Sequence, residues 1–164
     1  GVFDTATDTF STVPTGLAYG GYKYNGATTV GTTVYFTPQD ADTVGIFDTA
    51  TETFTTVATG LTGNRKYLGA GALVGTTIYF SPFASQDSIG KLETATNQFS
   101  TISIADNPLE EANVGVLDTT TDAFSVVPVS NGDSNNKHAG VVAFTMVPTD
   151  GITSSAKFWD LAAV

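Results

Sequence analysis

The chain has 164 residues, 41% apolar and only 13% charged, enough for one compact domain that buries roughly two-thirds of its unfolded surface. Its 16 acidic against 6 basic side chains give a formal net charge of −10, a field that repels phosphate and excludes nucleic acid and anionic lipid as partners. The absence of cysteine excludes disulfides, thiolate chemistry and cysteine-held zinc and leaves the compartment open, while the longest apolar run, Ala139 to Val147, is too short for a membrane span of ~20 residues.

The chain opens on a unit that repeats. Gly1 to Phe10 (GVFDTATDTF) returns as Gly45 to Phe54 (GIFDTATETF), with fainter copies at Gly90 to Phe99 and Gly115 to Phe124. The first two steps, Gly1 to Gly45 and Gly45 to Gly90, are 44 and 45 residues. In a sequence rich in Gly, Thr, Val and Phe, that period predicts one four-stranded antiparallel propeller blade per repeat and almost no helix.

After the opening C–D half-repeat, Lys23-Tyr24-Asn25-Gly26 begins a strand A. Thr32 to Thr37 form strand B, Thr43 to Asp48 strand C and Thr53 to Val57 strand D. The next repeat has strand A over Lys66 to Val74, a turn at Gly75-Thr76 and strand B at Thr77 to Ser81. A polar loop through Gln86-Asp87 leads to strand C at Ser88 to Glu93 and strand D at Gln98 to Ile102. Small residues dominate strand A, as the crowded innermost position of a propeller requires. Apolar residues on both faces of strands B and C fit sheets packed between two neighbours.

The period then breaks, because Gly90 to Gly115 is a step of only 25 residues and Ser103 to Asn113 contains a polar loop at Ala105 to Glu111. Lys137-His138-Ala139-Gly140 matches Lys66-Tyr67-Leu68-Gly69, and Lys157-Phe158-Trp159-Asp160 resembles a strand C. The fold class is therefore all-β, a partial β-propeller of about three to four four-stranded antiparallel blades, some incomplete. A single domain spans 1–164: a half blade at 1–13, full blades at 22–57 and 66–102, a half at 114–127 and an incomplete one at 137–164. That is too little for an ordinary ring, so the chain is expected either to be a piece of something longer or to have its open sheet edges covered by a partner.

Strand B ends Tyr-Phe-(Thr/Ser)-Pro at Tyr35 to Pro38 and at Tyr79 to Pro82, and Val/Ile-Gly-x-Phe/Leu-Asp/Glu follows before Thr-Ala-Thr. With the Lys-Tyr-x-Gly start of strand A, this pattern resembles the kelch-like β-propeller repeats, in the divergent form found in tandem arrays in microbial algae and other protists. The resemblance covers most of 1–102 and weakly the rest. It departs from the standard repeat in lacking the Gly-Gly doublet after strand B and the late Trp of strand D, where Phe10, Phe54, Phe99 and Phe124 stand. It implies an interaction platform more than an enzyme. The copper-binding set of the oxidases that share the fold is not carried over, since the chain has one histidine and no cysteine.

Lys23, Arg65, Lys66 and Lys137 fall at the start of strand A in three repeats. In a propeller those starts gather at one mouth of the channel. With Tyr24, Tyr67 and His138 they form the candidate ligand-binding set, suited to a carboxylate, a sulfate, an acidic peptide or a carbohydrate. The reading favoured for these lysines is plainer: each neutralises acidic residues of the B–C loops, Asp40, Asp42 and Asp87. His138 stands where tyrosine stands in the other repeats, which marks a packing position. No Gly-x-Ser-x-Gly, phosphate cradle or paired carboxylates in an apolar setting is present, so no catalytic constellation and no cofactor or metal is expected. Asp4, Asp48 and Asp118 read as Asx-turn acceptors, and Asp8, Asn97 and Asp122 as left-handed tip residues. Asn131 to Asn135 begins like a calcium loop, but Val142 stands where a bidentate Glu is needed. Trp159 reads as packing in strand C. The expected function is a non-enzymatic module for protein–protein interaction or structural assembly, with other protein chains as partners; the alternative is carbohydrate or small-anion binding at the strand-A mouth.

Overall fold

The computed structural model of the chain describes residues 1–18, 20–83, 86–104, 113–128 and 140–144, and among them there is no helix. The strands are β1 (Val2–Asp4), β2 (Thr9–Ser11), β3 (Tyr24–Val30), β4 (Thr33–Pro38), β5 (Thr43–Asp48), β6 (Thr53–Ala58) and β7 (Ala72–Val74). They continue with β8 (Thr77–Phe80), β9 (Ser88–Glu93), β10 (Gln98–Ser103), β11 (Asn113–Asp118), β12 (Ala123–Pro128) and β13 (Gly140–Phe144). Two antiparallel four-stranded sheets run in chain order, β3-β4-β5-β6 and β7-β8-β9-β10; a hairpin β1-β2 precedes them and a three-stranded sheet β12-β11-β13 follows. The all-β architecture and the four-stranded antiparallel unit are those the repeat period predicts. The loop expected at 105–111 and the strand C expected at 157–160 lie outside the described residues.

Local chemistry explains why the hairpins recur. At three of the four C–D tips the Asx turn forms as expected: the N–H groups of Ala6, Ala50 and Thr120 donate to the Oδ1 atoms of Asp4, Asp48 and Asp118, each at 2.8 Å. The next turn position is left-handed, with φ of 52° at Asp8, 52° at Glu52, 53° at Asn97 and 55° at Asp122. Hydrogen bonds from the Thr7 hydroxyl and then the Ala6 N–H hold the Asp4 carboxyl below its ordinary pKa, and the Thr120 N–H does the same for Asp118.

Strand alternation sends each sheet's side chains to two neighbours. Tyr35, Val44 and Ile46 of the first four-stranded sheet form one core with Tyr67, Ile78, Phe80 and Leu92 of the second. On the opposite side of the second sheet, Tyr79 and Ile89 pack with Ile104 and Leu117 of the chain that follows. The sheets are therefore stacked face to face in sequence order. Their first strands approach most tightly: a Cβ on Gly26, whose φ is +89°, would sit 2.3 Å from the Gly69 carbonyl carbon. The Thr28 hydroxyl donates to the Gly71 carbonyl at 2.8 Å across the same gap.

Each four-stranded sheet also carries a three-ring cluster seated on a strand-C glycine. In the first, the centroids of Tyr24, Phe36 and Phe54 lie 5.8–6.3 Å apart; in the second, Tyr67, Phe80 and Phe99 lie 5.9–6.3 Å apart. A Cβ on Gly90 would come within 2.9 Å of Tyr67 Cζ, 3.1 Å of Phe99 Cζ and 3.2 Å of Phe80 Cδ2, and one on Gly45 within 2.9 Å of Tyr24 Cζ. The glycine is what lets the three tilted rings close over the strand.

The last sheet departs from the blade pattern. β12 pairs antiparallel with β11, but β13 pairs parallel, Val114 opposite Gly140 through Asp118 opposite Phe144. Among the described residues, β13 holds the edge of β11 that strand B holds beside strand C in the two four-stranded sheets.

Replacing Gly90 by Ala is expected to cost about 1–3 kcal/mol in urea denaturation, because its three rings are clamped by the facing sheet. Gly45→Ala, whose rings border open space, should cost clearly less. Equal losses would contradict this account of the glycines.

Candidate functional site

The start of each strand A is held by the loop between strands B and C. The N–H groups of Gln39 and Ala41 both donate to the Lys23 carbonyl at 3.1 Å, and the Lys66 N–H donates to the Gln39 carbonyl at 2.9 Å. Asp40 spans the two starts: its Oδ2 accepts from the Tyr22 N–H at 3.1 Å and its Oδ1 from the Arg65 N–H at 2.9 Å. Beneath this loop Lys66 is 1% exposed, its ammonium paired with Asp42 Oδ1 at 2.9 Å and bonded to the carbonyls of Asp40 and Gly63. Three donors meet three oxygens, so the charge is enclosed with every hydrogen engaged.

The expected ligand set therefore divides. Lys66 and Tyr67 are buried between the sheets, Lys23 and Tyr24 are half-buried, and Arg65 is exposed with a left-handed φ of 58°. Lys137 and His138 lie outside the described residues, as do Asn131 to Asn135 and Trp159. Lys66 and Asp42 form the lysine-to-loop ion pair favoured for these lysines. Lys23, at the matching position of the preceding repeat, has no ion pair to a described carboxylate.

Tyr67 and Tyr24 occupy equivalent places with unequal surroundings. The Tyr24 hydroxyl meets the Thr43 hydroxyl at 3.2 Å. The fully buried Tyr67 hydroxyl lies near the Ser88 hydroxyl, close enough for Ser88 to favour the phenolate slightly but outside hydrogen-bond geometry. Burial pushes the Tyr67 phenol up from 10.0 to about 12.

The feature that sequence reasoning missed is a cavity of about 210 Å³ on the outer side of the first four-stranded sheet, over Tyr24, Phe36, Phe47 and Phe54. It is roofed by Val2, Val13 and Leu17 of the opening hairpin and its following turn. These match Ile46, Val57 and Leu61, which help cover the equivalent ring cluster of the second sheet. There Tyr35 and Val44 complete the cover; over the first sheet nothing described stands in their place. The sequence signal was the fixed Gly-to-Phe spacing of Gly1/Phe10, Gly45/Phe54, Gly90/Phe99 and Gly115/Phe124, which marks a ring seated on a glycine.

A different seam joins the second sheet to the last. Lys91 stands where Ile46 stands in the first sheet; its ammonium reaches Asp122 Oδ2 at 2.5 Å and lies 5.9 Å from the Tyr79 ring centroid. Among the described residues no group of three or more His, Asp or Glu side chains is arranged to hold a metal ion, and no helix is long and apolar enough to cross a membrane. No family model matches the chain, and a search of curated proteins finds no match.

Two measurements follow from this geometry. Lys66→Ala should cost about 2–3 kcal/mol in denaturant unfolding, since it empties the space of a side chain that is 1% exposed and removes its three polar contacts, whereas Lys23→Ala should stay within about 0.5 kcal/mol. Equal effects would remove the distinction between the two lysines. Because the Tyr67 phenol titrates higher in the folded chain than in the unfolded one, its contribution is complete below about pH 10 and is lost as pH rises toward 12. Tyr67→Phe should flatten that alkaline loss in melts between pH 9 and pH 12, at about unchanged stability at pH 7, and an unaltered alkaline slope would contradict it.

Proposed function

We propose that the chain is a kelch-like propeller module without catalytic activity, whose role is protein binding or structural assembly through open sheet faces and edges. One observation carries the reading: the ring cluster buried in the second four-stranded sheet is repeated in the first, where it stays partly open behind an incomplete cover. Repetition makes the comparison internal, because the same three side-chain types on the same glycine are covered more fully in one place, with Tyr67 and Phe80 buried and Phe99 half-buried, than in the other, where all three are half-buried. Phe3 and Phe10 extend the same theme, 58% and 68% exposed on the outer face of the opening hairpin. An exposed aromatic surface is an ordinary ground for association between chains. Serial stacking of the sheets and the close approach of β3 to the Gly69–Gly71 stretch support a radial arrangement in which strand A lies innermost.

Light scattering across a concentration series, beside a thermal-shift screen of oligosaccharides and small anions, tests this. Association that weakens in the double variant Phe3→Ser/Phe10→Ser, with no stabilisation by any small ligand, is the expected result. A chain that remains monomeric and is stabilised by a sugar or an anion would overturn it in favour of a ligand site at the strand-A mouth.

A further inference from the structure

We infer that Asn25-Gly26 is a self-modification site: Asn25 deamidates through a cyclic imide with the Gly26 main chain, and the isoaspartate that results loosens the seam between the two four-stranded sheets. The chemistry needs neither enzyme nor cofactor. The main-chain nitrogen of Gly26 attacks Cγ of Asn25 and loses its proton, while the side-chain nitrogen leaves as ammonia. Water then opens the five-membered imide at one of its two carbonyls. Opening at Cγ leaves aspartate; opening at the main-chain carbonyl leaves isoaspartate, whose backbone runs through Cβ and is one carbon longer. In sum, one amide and one water become one carboxylate and one ammonium.

Sequence and backbone favour the reaction at the same place. Glycine carries no Cβ to hinder ring closure, and Gly26 has a φ of +89°. Asn25 and Gly26 also fall in a β-bulge: Tyr24 is opposite Pro38 and Ala27 opposite Phe36, so these two residues of β3 face Thr37 alone. A regular extended strand holds the next main-chain nitrogen away from Cγ, and the bulge relaxes that constraint. The position is open to water as well. Asn25 is exposed, and its equivalent Leu68, which has a whole four-stranded sheet before it, is still 39% exposed. Exposure therefore belongs to this position of the repeat, whatever stands in front of the first sheet.

The second repeat keeps the backbone and lacks the reactive amide, with Leu68-Gly69 in place of Asn25-Gly26 and Gly69 at a φ of +78°. The other asparagines among the described residues, Asn64, Asn97 and Asn113, precede Arg65, Gln98 and Val114, whose side chains obstruct the imide. Place makes the modification consequential. A Cβ on Gly26 would overlap the Gly69 carbonyl and lie 2.6 Å from the Ala70 nitrogen, so the two backbones are in contact there. Two residues on, the Thr28 hydroxyl holds the Gly71 carbonyl at 2.8 Å. An added main-chain carbon and a new carboxylate beside this contact push one strand A away from the other.

The whole chain is aged at mildly alkaline pH beside the free peptide of residues 22–29 (YKYNGATT), and isoaspartate is located by methyltransferase labelling and peptide mapping. Conversion of Asn25 at a rate comparable to the peptide's is expected, with Asn64, Asn97 and Asn113 intact. The aged chain should melt about 2–8 °C below the fresh one. Asn25→Leu, which installs the residue of the second repeat, should remove both the label and the shift. Asn25→Gln serves if that variant does not fold, because closure through the longer side chain is much slower. An Asn25 that stays intact while the peptide reacts would overturn the site. Label at Asn25 without a change in melting, or a fall in melting that persists in Asn25→Leu or Asn25→Gln, would overturn its effect on the seam.

Discussion

Everything in this molecule hangs on a missing side chain. A strand-C glycine gives three aromatic rings a flat floor, and the rings in turn give the neighbouring sheet a continuous apolar surface to close on. Were that position any larger residue, Tyr67, Phe80 and Phe99 would be lifted from the sheet and the facing Val44 and Ile46 would lose their complement. Stacking, and with it the spacing of the sheets, follows from this one clearance.

The second organising element is polar and sits at the rim. Asp40 ties the starts of two successive strands A through its two oxygens, and Lys66 is sealed beneath the same loop by Asp42 and two carbonyls. A buried ammonium contributes little net stability when its partners only offset the loss of hydration. Its effect is to fix which loop lies over which strand, and so the order of the sheets. The apolar seam alone would tolerate sliding; the enclosed charge would not.

Much of this was legible in the chain itself. The four strands of 22–57 and of 66–102 lie within a few residues of where alternation, Gly-Thr turns and the Asp-Thr-Ala-Thr tips put them, because these are local signals with local causes. Strand A of the second repeat is shorter than its apolar composition suggests: Lys66 to Gly71 is spent on the rim loop and the close approach to Gly26, and only Ala72–Val74 pair as strand. The parallel β13 was not legible, since direction of pairing depends on which edge is vacant when the chain returns. Lys23 and Lys66 look alike in sequence, and what separates them is whether an earlier sheet supplies a carboxylate. The cavity escaped for the same reason: Tyr24 and Tyr67 are equivalent residues, and only the completeness of the sheet in front of each makes one sealed and the other accessible.

Both seams join an apolar core to one ion pair, and they differ at the strand-C position after the glycine. Ile46 faces one, whereas Lys91, Asp122 and the Tyr79 ring meet at the other, next to Leu117. Hydrophobic contact is strengthened by sulfate-like salts and weakened by cold, while an ion pair is screened as ionic strength rises. Among the described residues the two cores each join one sheet to the next in sequence order. Cold thus loosens both junctions, whereas ionic strength bears mainly on the second, whose Lys91–Asp122 pair is open to solvent while Lys66 at the first is enclosed.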